Sequence, residues 1–213
     1  DFLVYLSEKL IERAKIIAPN KITWFEDNIG YAHGNAGVIA QMARLYNVTK
    51  SEKIKDCINS ALRYEREEKF DKDTKTWIFR KGAHYYSWCN GIGGLILEKL
   101  ILISLNWEDG ELYTELKKLC EQLKETGFGD DYSICHGDMG SVQLLKQCAK
   151  VFDDEELFNR CISTEQNFMD KYLFRYWNKL ILKEDWGLMT GLSGIGLSLI
   201  TDQEIINLLS LSL

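Results

Sequence analysis

Four short glycine units punctuate the chain: Gly34-Asn-Ala-Gly37, Gly91-Ile-Gly-Gly94, Gly137-Asp-Met-Gly140 and Gly191-Leu-Ser-Gly194. Each is followed by a mostly apolar segment, Val38–Leu45, Leu95–Leu105, Val142–Leu145 and Ile195–Ile200. A loop that ends at a helix start needs backbone freedom. Two glycines one turn apart also strip side chains from one helix face, so that another backbone can come close. A single such unit is ordinary packing. Four in alternating register constrain the whole fold.

Between the units the pattern changes. In Ser51–Lys69, Ile54, Cys57, Ile58, Ala61 and Leu62 fall at i, i+3, i+4, i+7 and i+8, one face of a helix. Glu111–Lys124 repeats the idea with Leu112, Leu116, Leu119, Cys120 and Leu123. Glu155–Tyr172 does so with Leu157, Cys161 and Phe168, behind the cap-like Asp153 and Asp154. A helix apolar on most sides needs burial, and a one-faced helix covers it. Their alternation predicts an all-α fold with inner and outer helical layers, closed as an α/α toroid or extended as a solenoid. One proline in 213 residues agrees with this. Lys69–Lys81 is polar and reads as a rim loop. Phe174–Trp186 reads as holding a hairpin around Asn178-Lys179. No linker or low-complexity tract divides the chain, so one domain is expected.

Bulk properties narrow the function. The net charge is -6 with no basic block, which argues against nucleic acid or an anionic membrane as partner. The apolar run at Leu95–Leu105 is broken by Glu98 and Lys99 and is too short for a bilayer. There is no signal-peptide pattern. Six cysteines in a chain of this length and regularity read as reduced thiols in a cytoplasm, not as a disulfide framework. The first residue is not Met, so further N-terminal sequence is expected.

The chemically capable side chains stand at the mouths of the units. Unit one offers His33, unit two Trp88-Cys89 and unit three Cys135-His136, while unit four has only Thr190. If the helix starts converge, Cys89, Cys135 and His136 form a Cys2His set. That set suits zinc with its fourth position open. No CxxC or HExxH spacing announces a metal, so the residues alone leave zinc and plain packing evenly open. Cys57, Cys120 and Cys161 sit on amphipathic stripes and read as core, and Cys148 reads as packing on an inner helix. His84 reads as a surface residue whose nearness to Cys89 keeps it a secondary ligand candidate. His33 alone would be a helix-start hydrogen-bonder, but it shares its His-Gly-x-x-Gly setting with His136.

GYAHGNAGV, SWCNGIGG, CHGDMGS and GLMTGLSGIG, in that order, resemble the cyclase motifs of the lanthionine synthetase C-like family. That family includes free-standing LanC enzymes and the C-terminal cyclase domain of class II LanM synthetases. The wording of the motifs is closer to class II. The resemblance implies a double-layered α/α toroid, of whose usual seven inner helices this chain holds about four. Residues 1–213 would then be the C-terminal part of a LanC-like cyclase domain.

The resemblance also implies Zn2+ held by Cys89, Cys135 and His136, with His33 as acid/base. The implied reaction is Michael addition of a peptide cysteine thiolate to dehydroalanine or dehydrobutyrine, which closes a (methyl)lanthionine thioether ring in lantibiotic biosynthesis. Implied partners are a dehydrated precursor peptide with its leader and a dehydratase domain N-terminal in the same polypeptide. The resemblance leaves room for association with membrane export machinery. This chain departs from the family pattern at Tyr85 and Asn90, where some members carry an arginine and an aromatic beside the first zinc cysteine. A catalytic aspartate that the family places on an earlier repeat would lie upstream of these residues.

Three alternatives remain at this level. One is a zinc-bearing toroid that binds thiols or peptides, or adds glutathione, without ring formation. Another is a metal-free helical repeat scaffold. The third, a carbohydrate-active toroid, would need paired carboxylates, and the adjacent Asp130 and Asp131 point apart. An open arc of helices is further expected to expose apolar edges and to pair with its missing segment or dissolve poorly.

Overall fold

Helices form where the two sequence patterns place them. The computed structural model describes residues 2–78, 85–125, 132–170, 186–200 and 202–210. The expected hairpin around Asn178-Lys179, His84 and the pair Asp130-Asp131 lie outside these residues. The inner helices are α2 (Asn35–Thr49), α4 (Ile92–Ser104), α6 (Asp138–Phe152) and α8 (Leu192–Ile200), each opening at a glycine unit. The outer helices are α3 (Glu52–Glu68), α5 (Leu112–Glu125) and α7 (Glu155–Phe168). Two further helices, α1 (Phe2–Arg13) and α9 (Asp202–Ser210), have no counterpart in the sequence reading.

The layers pack as expected of an arc of an α/α toroid. Inner helices neighbour one another in series, α2 on α4, α4 on α6 and α6 on α8, while α3 covers α2, α5 covers α4 and α7 covers α6. Helix α9 returns to pack on α6 and α8. Its end is tied to unit one, since the Ser210 carbonyl accepts from Tyr31 Oη at 3.0 Å and from Gln41 Nε2 at 3.1 Å. Ile58, Leu62, Leu95, Ile96 and Leu144 are among the fully buried side chains between the layers. Burying each such side chain contributes about 1.5–3 kcal/mol. On α1, Phe2, Leu3, Val4, Tyr5 and Leu6 are exposed.

Two small hairpins decorate the arc. β1 (Lys15–Ala18) pairs antiparallel with β2 (Lys21–Thr23), the turn between them holding the single proline, Pro19, and Asn20 at φ 56°. The expected rim loop at Lys69–Lys81 instead contains β3 (Phe70–Asp71) and β4 (Thr76–Trp77). Its turn is built by Asp71 Oδ1, which accepts from the backbone of Asp73 and Thr74 at 2.8 and 3.2 Å. The lysines and aspartates of the turn hide this hairpin from a hydropathy reading, although Trp77 is buried.

The glycine units work through space rather than through special torsions. The caps Gly34, Gly91 and Gly137 have φ of -142°, -127° and -116°, ordinary extended backbone. What the fold needs is the second glycine of each unit. A Cβ there would lie 2.1 Å from the Tyr31 carbonyl oxygen at Gly37, 2.5 Å from that of Trp88 at Gly94, 2.0 Å from that of Ile134 at Gly140 and 1.8 Å from that of Leu188 at Gly194. In all four units the turn folds its carbonyl onto the first turn of the helix it precedes.

Inner and outer layers are also clamped by buried ions. Lys99 on α4 is wholly buried and reaches Glu65 of α3 at 3.1 Å and its neighbour Glu98 at 3.0 Å. Burial, reinforced by the charge of Glu65, pushes the Glu98 carboxyl well up, while Lys99 pulls it back. On α6, Lys146 pairs with Glu165 of α7 at 2.7 Å. The charges that interrupt the apolar run of α4 are therefore interior contacts. Among the described residues no helix is long and apolar enough to cross a membrane.

Candidate metal centre

The four turns before the inner helices lie side by side and are stitched by backbone hydrogen bonds. Tyr31 N donates to Trp88 O at 3.1 Å, Trp88 N to Cys135 O at 2.9 Å and Cys135 N to Met189 O at 2.9 Å. Neighbouring inner helices thus present their starts at one end of the arc. The expected convergence follows from this ladder together with the close approaches at the second glycines.

At that end Cys89, Cys135 and His136 come together, their candidate ligand atoms all within 4.8 Å of one another. Ligands of a tetrahedral zinc stand about 3.3–3.8 Å apart, so small side-chain adjustments would close the set on an ion. Cys89 is buried, whereas Cys135 and His136 are half-buried. The Cys89 thiol is pulled down to about 5. The largest cause is a hydrogen bond from Cys135, opposed by burial and helped by a hydrogen bond from Ser87 and by the charges of His136 and His33. Cys89 is thus prepared as a thiolate, the form that ligates metal. Two sulfurs and one imidazole are a donor set for zinc with one position left for another ligand.

His33 lies at the same mouth, outside this triad. Its backbone N–H donates to the Cys89 carbonyl at 3.3 Å and the residue is exposed. Cys57, Cys120, Cys148 and Cys161 are buried away from the mouth, as the helical stripes indicated. Sequence reasoning passed over Ser87 and Ser133. Both ligand turns carry Ser-x-Cys-x-Gly, Ser87 to Gly91 and Ser133 to Gly137. In each, the serine hydroxyl accepts the backbone N–H three residues on, Asn90 at 3.2 Å and His136 at 3.4 Å. The repetition of Ser-x-Cys-x-Gly was the available signal.

Comparison with known proteins agrees with this architecture. The family described as "Lanthionine synthetase C-like protein" matches residues 2–204. The chain is also 30% identical over 192 residues to the "Lacticin 481/lactococcin biosynthesis protein LcnDR2" of Lactococcus lactis subsp. lactis. That alignment covers 83% of this chain and 20% of the relative, so the chain spans about a fifth of that protein's length. On its motifs, its two helical layers and this match, the chain belongs to the lanthionine synthetase C-like family.

Proposed function

We propose that this chain is the cyclase part of a class II lanthipeptide synthetase and closes thioether rings on a dehydrated precursor peptide. The observation that carries the reading is the convergence of Cys89, Cys135 and His136 beside an exposed histidine, His33. The similarity to a protein named for lacticin 481/lactococcin biosynthesis points to a peptide substrate. The six free thiols suit a cytoplasmic setting.

Cys89, Cys135 and His136 would hold zinc and leave a fourth position for a substrate thiol. A bound zinc ion lowers the pKa of a substrate thiol and keeps it a thiolate at neutral pH. In the ring-closing step the substrate sulfur forms a bond to the β-carbon of a dehydroamino acid, and the C=C π bond breaks to leave an enolate. His33, exposed at the same mouth, would be the residue that delivers a proton to the α-carbon, a role suited to imidazole. The Ser87 and Ser133 hydroxyls hold the backbone N–H groups of Asn90 and His136, which fixes the turns that aim the ligands.

Elemental analysis of purified wild type and Cys135→Ala, with no metal added, tests the centre. About one zinc per wild-type chain, lost in the variant, is expected. His33→Ala should keep the metal and slow thioether formation from dehydrated peptide by about 10²–10⁴-fold. A folded wild type without metal would overturn the reading. Zinc and thiol binding without any thioether product would assign the chain to a non-cyclising member of the family.

A further inference from the structure

The loop before unit one reaches across to unit two through a chain of amides whose polarity is fixed. The backbone N–H of Gly30 can only donate, and it donates to Asn28 Oδ1 at 3.1 Å. Asn28 therefore turns its Nδ2 outward, where it donates to Asn90 Oδ1 at 2.6 Å. That bond leaves the Asn90 Nδ2 directed at Cys89 Sγ, at 3.6 Å. The N/O assignment of both amides thus follows from one obligatory donor. The approach needs a bare backbone, because a Cβ on Gly30 would lie 2.3 Å from both Asn90 Cα and the Cys89 carbonyl oxygen. Both asparagines are half-buried, so water competes only partly for these bonds.

A hydrogen bond to a thiolate draws charge from the sulfur. It makes that sulfur a poorer nucleophile and the metal it ligates a stronger Lewis acid. A centre that activates a substrate thiolate beside its own thiolates must make one sulfur react and not the others. We propose that Asn28 and Asn90 are positioning residues that hold an amide donor on the Cys89 sulfur, confining it to metal ligation and leaving a substrate sulfur as the nucleophile. The identity of that reacting sulfur rests on the cyclase reading above.

The test uses the full chain loaded with cobalt(II) in place of zinc. Two readouts are followed, the thiolate-to-cobalt charge-transfer band and the rate of Cys89 alkylation by iodoacetamide, mapped by mass spectrometry. In Asn90→Ala the band should move to lower energy and Cys89 should alkylate about tenfold faster, the equivalent of one charged hydrogen bond. Asn28→Ala should move both readouts in the same direction by less, because Asn90 remains but is no longer aimed. Asn28→Asp is the sharper variant. It keeps the acceptor for Gly30 but offers Asn90 only an acceptor, so the Asn90 amide must reverse and turn its oxygen to the sulfur. It should therefore exceed Asn28→Ala, the added carboxylate charge acting in the same direction as the lost donor. Cobalt bound with band and alkylation unchanged in all three variants would overturn the relay and leave the metal centre standing. A wild type that takes up no cobalt would sink both.

Discussion

Cys57 and Cys89 are equally buried, at 6% and 7% exposure, yet burial pushes the Cys57 thiol up to about 11 while Cys89 is drawn down to about 5. They represent two regions of the molecule. Between the layers, Cys120 on α5, Cys148 on α6 and Cys161 on α7 are buried together, and Cys148 hydrogen-bonds Cys120. Burial raises the Cys148 thiol well above its ordinary value and Cys161 to about 11. At the mouth the same residue type receives hydrogen bonds from Cys135 and Ser87 and faces His136 and His33. The depth of a thiol therefore does not decide its chemistry here. The partners supplied by the helix starts do.

The largest effect expected from this contrast is in thiol reactivity of the metal-free chain. At pH 7 a thiol at about 5 is almost entirely thiolate, and one at about 11 is thiolate about once in 10⁴. The lower intrinsic nucleophilicity of the more acidic thiolate offsets most of that ratio, so timed alkylation with mass mapping should modify Cys89 about tenfold or more ahead of Cys57 and Cys161. The stability signs are opposite too. Because the folded Cys89 pKa lies below the unfolded value of 9.0, the unfolded chain binds the extra proton between them. Its contribution is complete above pH 9 and is lost as pH falls toward about 5. Cys57 and Cys161 have raised folded values, so their contribution is present below pH 9 and is lost as pH climbs toward about 11. Comparable labelling of Cys57 and Cys89 at pH 7 would collapse the distinction.

A second, smaller effect concerns the backbone that builds the mouth. Gly140→Ala places a methyl 2.0 Å from the Ile134 carbonyl oxygen, a backbone atom that cannot step aside without moving Cys135. The expected cost is about 1–3 kcal/mol in a denaturant midpoint, with weakened metal uptake. Gly196→Ala, on α8, meets nothing within 4 Å. It should be neutral or stabilise by up to about 1 kcal/mol, since alanine favours the helix. Equal costs at the two glycines would show that the unit works through chain flexibility and not through close approach.

Much of this was legible in the residues, and for identifiable reasons. The outer helices follow directly from their i, i+3, i+4 stripes, so α3, α5 and α7 fall within a few residues of their expected spans. The inner helices announce their starts through glycine, but α6 runs on to Phe152, well past its apolar segment. It does so because Gln143 and Lys146 are buried there as partners of Glu165 and not as surface. A hydropathy pattern cannot distinguish a buried ion pair from a solvated face. The cluster Cys89, Cys135 and His136 was visible because each of the three stands within two residues of a unit's first glycine. Asn28 was not, because its contact with Asn90 spans 62 residues and exists only once two units lie side by side.

The smallest effect sharpens the comparison from the interior side. The sequence reads Asp153-Asp154 as a cap, and the two residues divide the work. Asp153 ends α6 in the left-handed region at φ 53°, and Asp154 caps α7 by accepting the Leu157 N–H at 2.9 Å. Glu155 and Glu156 in the first turn complement the helix dipole. Asp154→Ala should therefore cost about 1 kcal/mol in chemical denaturation. Helix α7 carries Cys161, and its capped end stands at the C-terminus of α6, about 20 Å of helix from the α6 start that follows the Cys135-His136 turn. Metal stoichiometry and Cys89 labelling should accordingly stay at wild-type values in this variant. Loss of metal on removing so remote a cap would mean that the ligand turns depend on the outer layer. The mouth and the interior would then be one cooperative unit, and the opposite behaviour of their thiols would follow from a single packing arrangement.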